Sequence, residues 1–330
     1  MPVVHYWRQA AHPEDIARLA ADHLSNGRLV VLPTEVGPVL AATPGVTVPA
    51  AVSGWPRYLA FADATAVAAH YADVTADEAA WGRRVWPGPV AWRRDDGPDA
   101  VWVPEHLLTA AVVAAVGPLA LYPISGEAAW GDEVAAIVAD EHPAAGMMTV
   151  VRLADREWAV LHAGAVSEEA IREKLARRIL FVCTGNTCRS PMAEALFKHE
   201  LAARLGCQVD ELSAKGFRVQ SAGTGAGPGE PPSPEAVAVL LEWDVDHSAH
   251  RSAPAGAEMI AAADDIVGMT RTHLLTVLSR YPVVRGAVRL LGGAEGDLDD
   301  PIGGGPAVYR ACAENIRRHV KRLLTEMGLT

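Results

Sequence analysis

The chain has 330 residues, of which half are hydrophobic and 21% are charged, and its formal net charge is −11 at pH 7. This composition excludes an intrinsically disordered chain, and the acidic balance argues against nonspecific binding of nucleic acid. The length is sufficient for two domains that each bury a core. With four cysteines and no secretory-type segment at the N-terminus, we expect a cytoplasmic protein.

The first part of the chain predicts alternating helices and strands. Residues 12–24 follow a helix pattern that Asn26-Gly27 ends, and residues 28–32, an arginine followed by four apolar residues, follow as a strand. Residues 106–126 carry no formal charge when histidine is neutral. Because Gly117-Pro118 interrupts this segment, we predict a buried helix, a turn and a short strand there, and no membrane span.

Three short motifs in this part point to an enzyme family. They are Pro33-Thr34-Glu35 after the strand, the segment Trp86-Pro87-Gly88-Pro89, and Leu161-His162-Ala163-Gly164-Ala165. On these motifs, residues 10–173 resemble the threonylcarbamoyl-AMP synthase (YrdC-like) family. The resemblance implies an α/β domain over residues 1–176, built around a positively lined cleft that serves a tRNA modification.

The positive charges that such a cleft needs are missing here. Residues 36–81, where the family carries a Lys-x-Arg element, contain Arg57 and no lysine, and Lys174 is the first lysine of the chain. Trp102 stands where the family's Val-Arg-Val-Pro strand has its arginine. Because ATP phosphates and bicarbonate need fixed positive charge, we predict a YrdC-like fold without synthase activity. Binding of a nucleotide or anion, or a bifunctional role in tRNA threonylcarbamoylation, is the alternative.

A predicted helix over residues 167–177 leads into a second part, residues 177–330, where helices and strands alternate again. This alternation predicts a four-stranded parallel sheet of Rossmann-like type, with helices on both faces and a ligand site at the carboxyl ends of the strands. The strands are assigned to residues 179–182, 217–222 and 265–269, and the helices to residues 192–204, 233–242, 271–278 and from 307 onward.

The strand 179–182 is followed directly by Cys183, a short loop and a helix start. The loop amides and the unpaired N–H groups of the helix converge on one point, which makes an anion site. The same groups stabilise a thiolate, so Cys183 is the candidate nucleophile. Arg189, six residues later, presents a planar fork of donors that can hold two oxygens of a phosphoryl group.

The run Val-Cys-Thr-Gly-Asn-Thr-Cys-Arg-Ser-Pro-Met-Ala-Glu-Ala-Leu-Phe occupies residues 182–197. It resembles the signature of the low-molecular-weight protein tyrosine phosphatases, and most closely that of the bacterial protein arginine phosphatases, and the resemblance extends from Arg178 to the C-terminus. It implies a phosphoprotein substrate and a phosphocysteine intermediate on Cys183, with no metal or other cofactor. It also implies that Ser190 hydrogen-bonds the thiolate and that Asn186 braces the loop. The implied substrate-binding residues are Thr184, Gly185, Asn186, Thr187, Cys188 and Ser190.

The leaving group of the first step needs a proton from a carboxylic acid on another loop. Residues 297–305, Asp-Leu-Asp-Asp-Pro-Ile-Gly-Gly-Gly, form the one acidic, glycine-flanked loop of this part. In the resembled family an Asp-Pro pair carries the role, which places it on Asp300 before Pro301, with Asp299 as the second choice. An ordinary solvated acidic turn is the other interpretation.

Cys188 has two interpretations. It forms a reversible disulfide with Cys183 and protects that residue from overoxidation, or it is a packed loop thiol. Cys183-x4-Cys188 has no second Cys or His pair nearby in sequence, so no metal site is predicted. Cys207 and Cys312 do not form a closely spaced pair, which argues against arsenate reduction on the same fold because that reaction relays a disulfide.

Two residues bear on the choice of substrate. Thr187 occupies the position where the arginine-specific relatives carry threonine and the tyrosine-specific relatives carry a larger aliphatic residue. Its small hydroxyl side chain leaves room for a guanidinium and can position water. Ile302 replaces the aromatic residue usual after Asp-Pro, which removes a stacking face for either a tyrosine ring or a guanidinium. We predict phosphoarginine in preference to phosphotyrosine.

Overall fold

The computed structural model describes residues 2–50, 52, 57–93, 99–124, 132–140, 146–154, 157–282, 284 and 287–329. The chain divides into two compact units, Met1–Leu175 and Ala176–Thr330, where the sequence predicts a boundary between residues 176 and 177. Each unit has its own hydrophobic core.

The first unit has a mixed sheet with helices. Its elements are β1 (Val3–Tyr6), α1 (Pro13–Ser25), β2 (Leu29–Thr34), β3 (Gly37–Ala42), β4 (Tyr58–Ala60), α2 (Ala64–His70), α3 (Ala76–Val85), β5 (Val90–Arg93), β6 (Ala100–Trp102), α4 (Leu107–Val116), β7 (Leu119–Pro123), β8 (Val134–Ala139), β9 (Thr149–Ala154), β10 (Glu157–His162) and α5 (Glu168–Leu175). Over the described residues the strand order is β1-β8-β2-β3-β7-β4-β6-β5-β9-β10.

The predicted elements of this unit are confirmed at α1, β2, α4, β7 and α5. All six residues of β2 are buried, which explains its continuous apolar run because both faces of the strand are covered. In the uncharged segment α4 buries Leu108, Val112 and Val113, and β7 follows it as a short strand. Within the described part of the chain, no helix has the length and apolar character needed to cross a membrane.

The second unit is a Rossmann-like α/β fold. Its elements are β11 (Arg177–Cys183), α6 (Arg189–Leu205), β12 (Phe217–Gly223), α7 (Pro234–Leu241), α8 (Ala257–Ala262), β13 (Asp265–Gly268), α9 (Arg271–Arg280), β14 (Ala287–Leu290) and α10 (Pro306–Glu326). The sheet order is β12-β11-β13-β14, and every pairing is parallel. The predicted parallel sheet of four strands is therefore confirmed.

Strand β11 lies between β12 and β13 and is covered on both faces. Ile179 and Phe181 belong to the core formed with α6 and α10, whereas Leu180 and Val182 belong to the core formed with α8 and α9. Successive side chains of a strand point to opposite faces, which gives this division. The sequence analysis did not place β14, because this short edge strand has no continuous apolar run.

Candidate active site

Cys183 is the last residue of β11, at the carboxyl edge of the sheet. Its register partner on the neighbouring strand is Gly223. A Cβ atom at Gly223 would lie 2.4 Å from the carbonyl oxygen of Thr184 and 3.1 Å from the nitrogen of Asn186. Only glycine therefore lets β12 approach the loop after Cys183 this closely.

The Cys183 sulfur is buried and accepts two hydrogen bonds. The residue is 3% exposed. Its Sγ accepts hydrogen bonds from the backbone nitrogen of Asn186 at 3.2 Å and from Ser190 Oγ at 3.0 Å. Helix α6 begins at Arg189, with Cys188 at its N-cap, so the positive end of the helix dipole faces the same loop. Two hydrogen-bond donors and a helix N-terminus thus lie around the Cys183 sulfur.

Asn186 holds the loop in shape. It is fully buried and has a left-handed backbone with φ of 56°, a conformation that asparagine tolerates better than most residues. Its Nδ2 donates to Ser190 Oγ at 3.0 Å and to Ser221 Oγ at 2.8 Å, and its Oδ1 accepts from the Ala253 nitrogen at 2.8 Å. One side chain thus ties the loop to β12 and to the segment before α8.

Arg189 and the acidic loop meet at the far end of the cysteine loop. The guanidinium of Arg189 is 7% exposed and forms an ion pair with Asp300, whose side chain is 42% exposed. Its Nη1 also donates to the Leu298 carbonyl at 3.1 Å. The backbone nitrogen of Ile302 donates to Asp300 Oδ1 at 3.3 Å. The structure therefore brings Asp300 to Arg189. The backbone carbonyl of the neighbouring Asp299 accepts from Cys312 Sγ at 3.7 Å.

His273 is a site residue that the sequence analysis missed. Its Nδ1 accepts from the Thr270 nitrogen at 3.1 Å, so its Nε2 carries the ring proton and donates to Thr184 Oγ1 at 2.9 Å. Burial, aided by the charge of Arg189, lowers the pKa of His273 to about 4. The ring is therefore neutral near pH 7 and orients the exposed Thr184 hydroxyl. The Thr270-x-x-His273 capping-box spacing was the signal available in the sequence.

The other loop residues lie at different depths. Thr184 and Gly185 are exposed, Thr187 is half-buried and Cys188 is buried. Cys188 Sγ lies 3.3 Å from the hydroxyl of Tyr309, and burial raises the pKa of that phenol to about 12. Each of the four cysteines, all within the described residues, is a free thiol.

A second group of ionisable side chains lies behind the loop. Glu194 Oε2 accepts from Ser221 Oγ at 2.6 Å, and Lys198 forms an ion pair with the same carboxylate. His247 and His250 also approach this carboxylate. The sequence analysis did not find this group because its members come from distant segments. The His-x-x-His spacing of the two histidines was the only signal for it.

Comparisons with known proteins agree on the second unit. The sequence model of the family "Low molecular weight phosphotyrosine protein phosphatase" matches residues 178–329. A protein-arginine-phosphatase of Bacillus subtilis (strain 168) is 37% identical over 153 residues, which cover 45% of this chain and 95% of the relative. The protein-arginine-phosphatase of Geobacillus stearothermophilus is 36% identical over 154 residues, covering 46% of this chain and 95% of the relative.

The relatives also include a protein that is named as a tyrosine phosphatase. A probable low molecular weight protein-tyrosine-phosphatase, EpsP, of Ralstonia nicotianae (strain ATCC BAA-1114 / GMI1000) is 35% identical and covers 44% of this chain and 92% of the relative. Among solved structures, the YwlE arginine phosphatase from Geobacillus stearothermophilus is 35% identical, with a TM-score of 0.40, and covers 46% of this chain and 93% of that chain. Through its second unit the chain belongs to the low molecular weight phosphotyrosine protein phosphatase family, and it is a protein phosphatase.

Proposed function

We propose that Cys183 is the nucleophile of this phosphatase and that it takes the phosphoryl group of a phosphorylated protein onto its sulfur. The observation that carries the proposal is the buried Cys183 Sγ with two donors on it, at one end of a loop whose other end holds Arg189 against Asp300. The loop amides and Arg189 hold the equatorial oxygens, so charge is stabilised where it develops.

Asp300 is the general acid of the first step in this proposal. The sulfur–phosphorus bond forms while the bond from phosphorus to the leaving nitrogen or oxygen breaks, and the carboxyl proton of Asp300 passes to the leaving atom. Water then attacks phosphorus and gives its proton to Asp300. Inorganic phosphate leaves and the Cys183 thiolate returns.

Asn186 and Ser190 position the sulfur, and Thr184, Gly185, Thr187 and Cys188 form the remaining substrate-binding wall of the loop. Ser190 donates directly to Cys183 Sγ, and Asn186 in turn donates to Ser190. Because the second donor holds the first in place, loss of either weakens the support of the thiolate.

Phosphoarginine is the proposed substrate, with phosphotyrosine as the alternative. Thr187 is half-buried at the loop, and its small side chain leaves space for a guanidinium. Ile302 is 71% exposed at the acidic loop, and because it offers no aromatic face to a tyrosine ring or to a guanidinium, it favours neither substrate. Two relatives that share about a third of their residues with this unit are named protein-arginine-phosphatases, which supports the proposal.

The experiment is a comparison of kcat/KM on matched phosphoarginine and phosphotyrosine peptides, with the full chain and two cysteine variants. Cys183→Ser removes the nucleophilic sulfur and should abolish turnover on both peptides. Cys207→Ser changes the same residue type outside the loop and should keep it. Turnover that survives Cys183→Ser would end the proposal, and a higher kcat/KM on phosphotyrosine would overturn the substrate assignment.

Cys188 is proposed as the redox partner of Cys183. Peroxide oxidises the Cys183 thiolate to a sulfenic acid, and the Cys188 thiol then displaces water to form the disulfide, which a thiol reductant reverses. Both sulfurs are free thiols in the same buried cluster. Peptide mapping after mild peroxide treatment should find the 183–188 disulfide, and irreversible loss of activity without that disulfide would leave Cys188 as a packed thiol.

For the first unit we propose a YrdC-like fold without synthase activity. Arg57, the one arginine of residues 36–81, is ion-paired with Asp99. Trp102 is buried, and its Nε1 donates to the Gly88 carbonyl at 2.8 Å. Neither residue thus presents an unpaired positive charge to a phosphate. Threonine- and bicarbonate-dependent turnover of ATP by the full chain would contradict the proposal.

A nucleotide or anion at this unit stays a prediction. A cavity of about 170 Å³ beside β2 and β8 is lined in part by Asp140, whose carboxylate forms an ion pair with Arg8 at 2.8 Å. Equilibrium binding of ATP or threonine to the full chain tests the prediction.

A cytoplasmic location also stays a proposal, supported by the four free thiols.

A further inference from the structure

Two histidines and a glutamate converge behind the cysteine loop, which joins Cys183 to Arg189, and they lie outside the proposed catalytic groups. Glu194 lies on α6, and His247 and His250 lie after α7. His247 Nε2 is 3.9 Å from Glu194 Oε2, and His250 Nδ1 is 4.0 Å from the same oxygen. One ligand atom from each of the three residues lies within 4.8 Å of the other two. All three side chains are largely buried, at 8%, 14% and 7% exposure for Glu194, His247 and His250.

The hydrogen bonds leave each of these atoms open to a further contact. His250 Nε2 lies 2.9 Å from the carbonyl oxygen of Asn186, which can only accept, so the neutral imidazole carries its proton on Nε2 and its lone pair on Nδ1. His247 Nε2 is buried and has no hydrogen-bond partner among the described residues, a rare condition for a buried polar atom. Glu194 Oε2 accepts one hydrogen bond, from Ser221, and a carboxylate oxygen has room for a second contact.

We propose that Glu194, His247 and His250 form a binding site for a divalent transition metal ion of the Zn²⁺ class. Two imidazole nitrogens and one carboxylate oxygen are a donor set that Zn²⁺ accepts, with a fourth position for water. Ligand atoms on a tetrahedral Zn²⁺ are about 3.4 Å apart. The ligand atoms are 3.9, 4.0 and at most 4.8 Å apart, so the side chains must move inward by roughly 1 Å to hold the ion.

The proposed site is connected to the cysteine loop through His250 Nε2, the ring nitrogen that does not face the metal. A metal-bound histidine commonly donates its other N–H to a carbonyl, which fixes the tautomer and the ring orientation. Here that acceptor is Asn186, whose own nitrogen donates to Cys183 Sγ. A metal ion at Glu194 also meets the positive charge of Lys198, which shares the carboxylate. Lys198 therefore opposes the cation and limits its affinity.

The test is Zn²⁺ binding to the full chain, measured by calorimetric titration and by the shift in the thermal unfolding midpoint. Cys183→Ser serves as the parent protein, because a catalytic thiolate binds Zn²⁺ by itself. His247→Leu removes one ligand and fills the same space with an apolar group. Lys198→Met removes the opposing charge. His199→Ala changes a histidine on the same helix outside the three residues and is the matched control.

We expect the parent to bind Zn²⁺ with a rise in its unfolding midpoint, since a ligand that binds only the folded state stabilises it. His247→Leu should abolish both effects, Lys198→Met should lower the Kd, and His199→Ala should match the parent. No Zn²⁺ binding by the parent would overturn the proposal, and so would unchanged binding in His247→Leu. If His247→Leu does not fold, an unchanged Kd in Lys198→Met overturns it independently.

Discussion

Replacement of Asn186 tests whether the loop between Cys183 and Arg189 depends on one buried side chain. Asn186→Ala removes the hydrogen bonds to Ser190, Ser221 and Ala253, each with a net contribution of about 0.5–1.5 kcal/mol. It also places alanine at φ of 56°, which adds roughly 1 kcal/mol. We therefore expect a destabilisation of the loop by roughly 3–5 kcal/mol. Asn186→Gly loses the same hydrogen bonds but accepts the backbone conformation, so it should be about 1 kcal/mol less severe.

The local readout is the exchange rate of the Ala253 amide, which donates to Asn186 Oδ1 at 2.8 Å. Hydrogen exchange followed by mass spectrometry should show faster exchange in the peptide that contains Ala253 in both variants, and faster in Asn186→Ala than in Asn186→Gly. Asn315→Ala, at a surface contact with Arg318, is the control and should leave this peptide unchanged.

The catalytic readout is kcat/KM on p-nitrophenyl phosphate. Without Asn186 the Ser190 hydroxyl loses the donor that holds it toward Cys183 Sγ. A lost hydrogen bond to a charged group costs about 1.5–3 kcal/mol, so kcat/KM should fall by roughly 10- to 100-fold. A variant Asn186→Ala with the activity and the exchange pattern of the unchanged protein would refute the argument. If Asn186→Ala and Asn186→Gly have equal effects, the left-handed backbone of residue 186 does not contribute as argued.

Three further predictions follow from the site. Asp300→Asn should slow hydrolysis more for phenyl phosphate than for p-nitrophenyl phosphate, because the poorer leaving group needs the proton more, and Asp299→Asn should show no such dependence. Thr187→Ile should shift the kcat/KM ratio toward phosphotyrosine peptides, and an unchanged ratio would show that Thr187 does not set specificity. His273 has its pKa lowered from 6.5 to about 4 by burial, so between these values the unfolded chain binds a proton that the folded chain does not. Stability should therefore fall by roughly 2–3 kcal/mol as the pH drops from 6.5 to 4. In His273→Gln the unfolding midpoint should depend less on pH across this window, and an unchanged pH dependence would contradict the assignment.

The sequence was most informative where the interacting residues are neighbours along the chain. Residues 183–190 run from the end of a strand through one short loop into the start of a helix, so the contacts of Cys183 with Asn186 and Ser190 follow largely from local geometry. The alternation of helices and strands predicted the parallel sheet for the same reason, since each pattern reports on its own segment. The edge strand β14 (Ala287–Leu290) was not placed, because its pairing with β13 leaves only a weak local signal.

Contacts between distant segments needed the tertiary structure. Arg189 and Asp300 are 111 positions apart. The sequence pointed to Asp300 only through a family resemblance, and the contact of its carboxylate with the guanidinium depends on the packing of the sheet. The contact of His273 with Thr184 depends in the same way on where α9 (Arg271–Arg280) begins beside the loop. Side chains far apart in sequence meet only after the chain has buried its apolar surfaces. The pattern of apolar residues in the sequence does not specify which polar groups then lie together at the edge of the sheet.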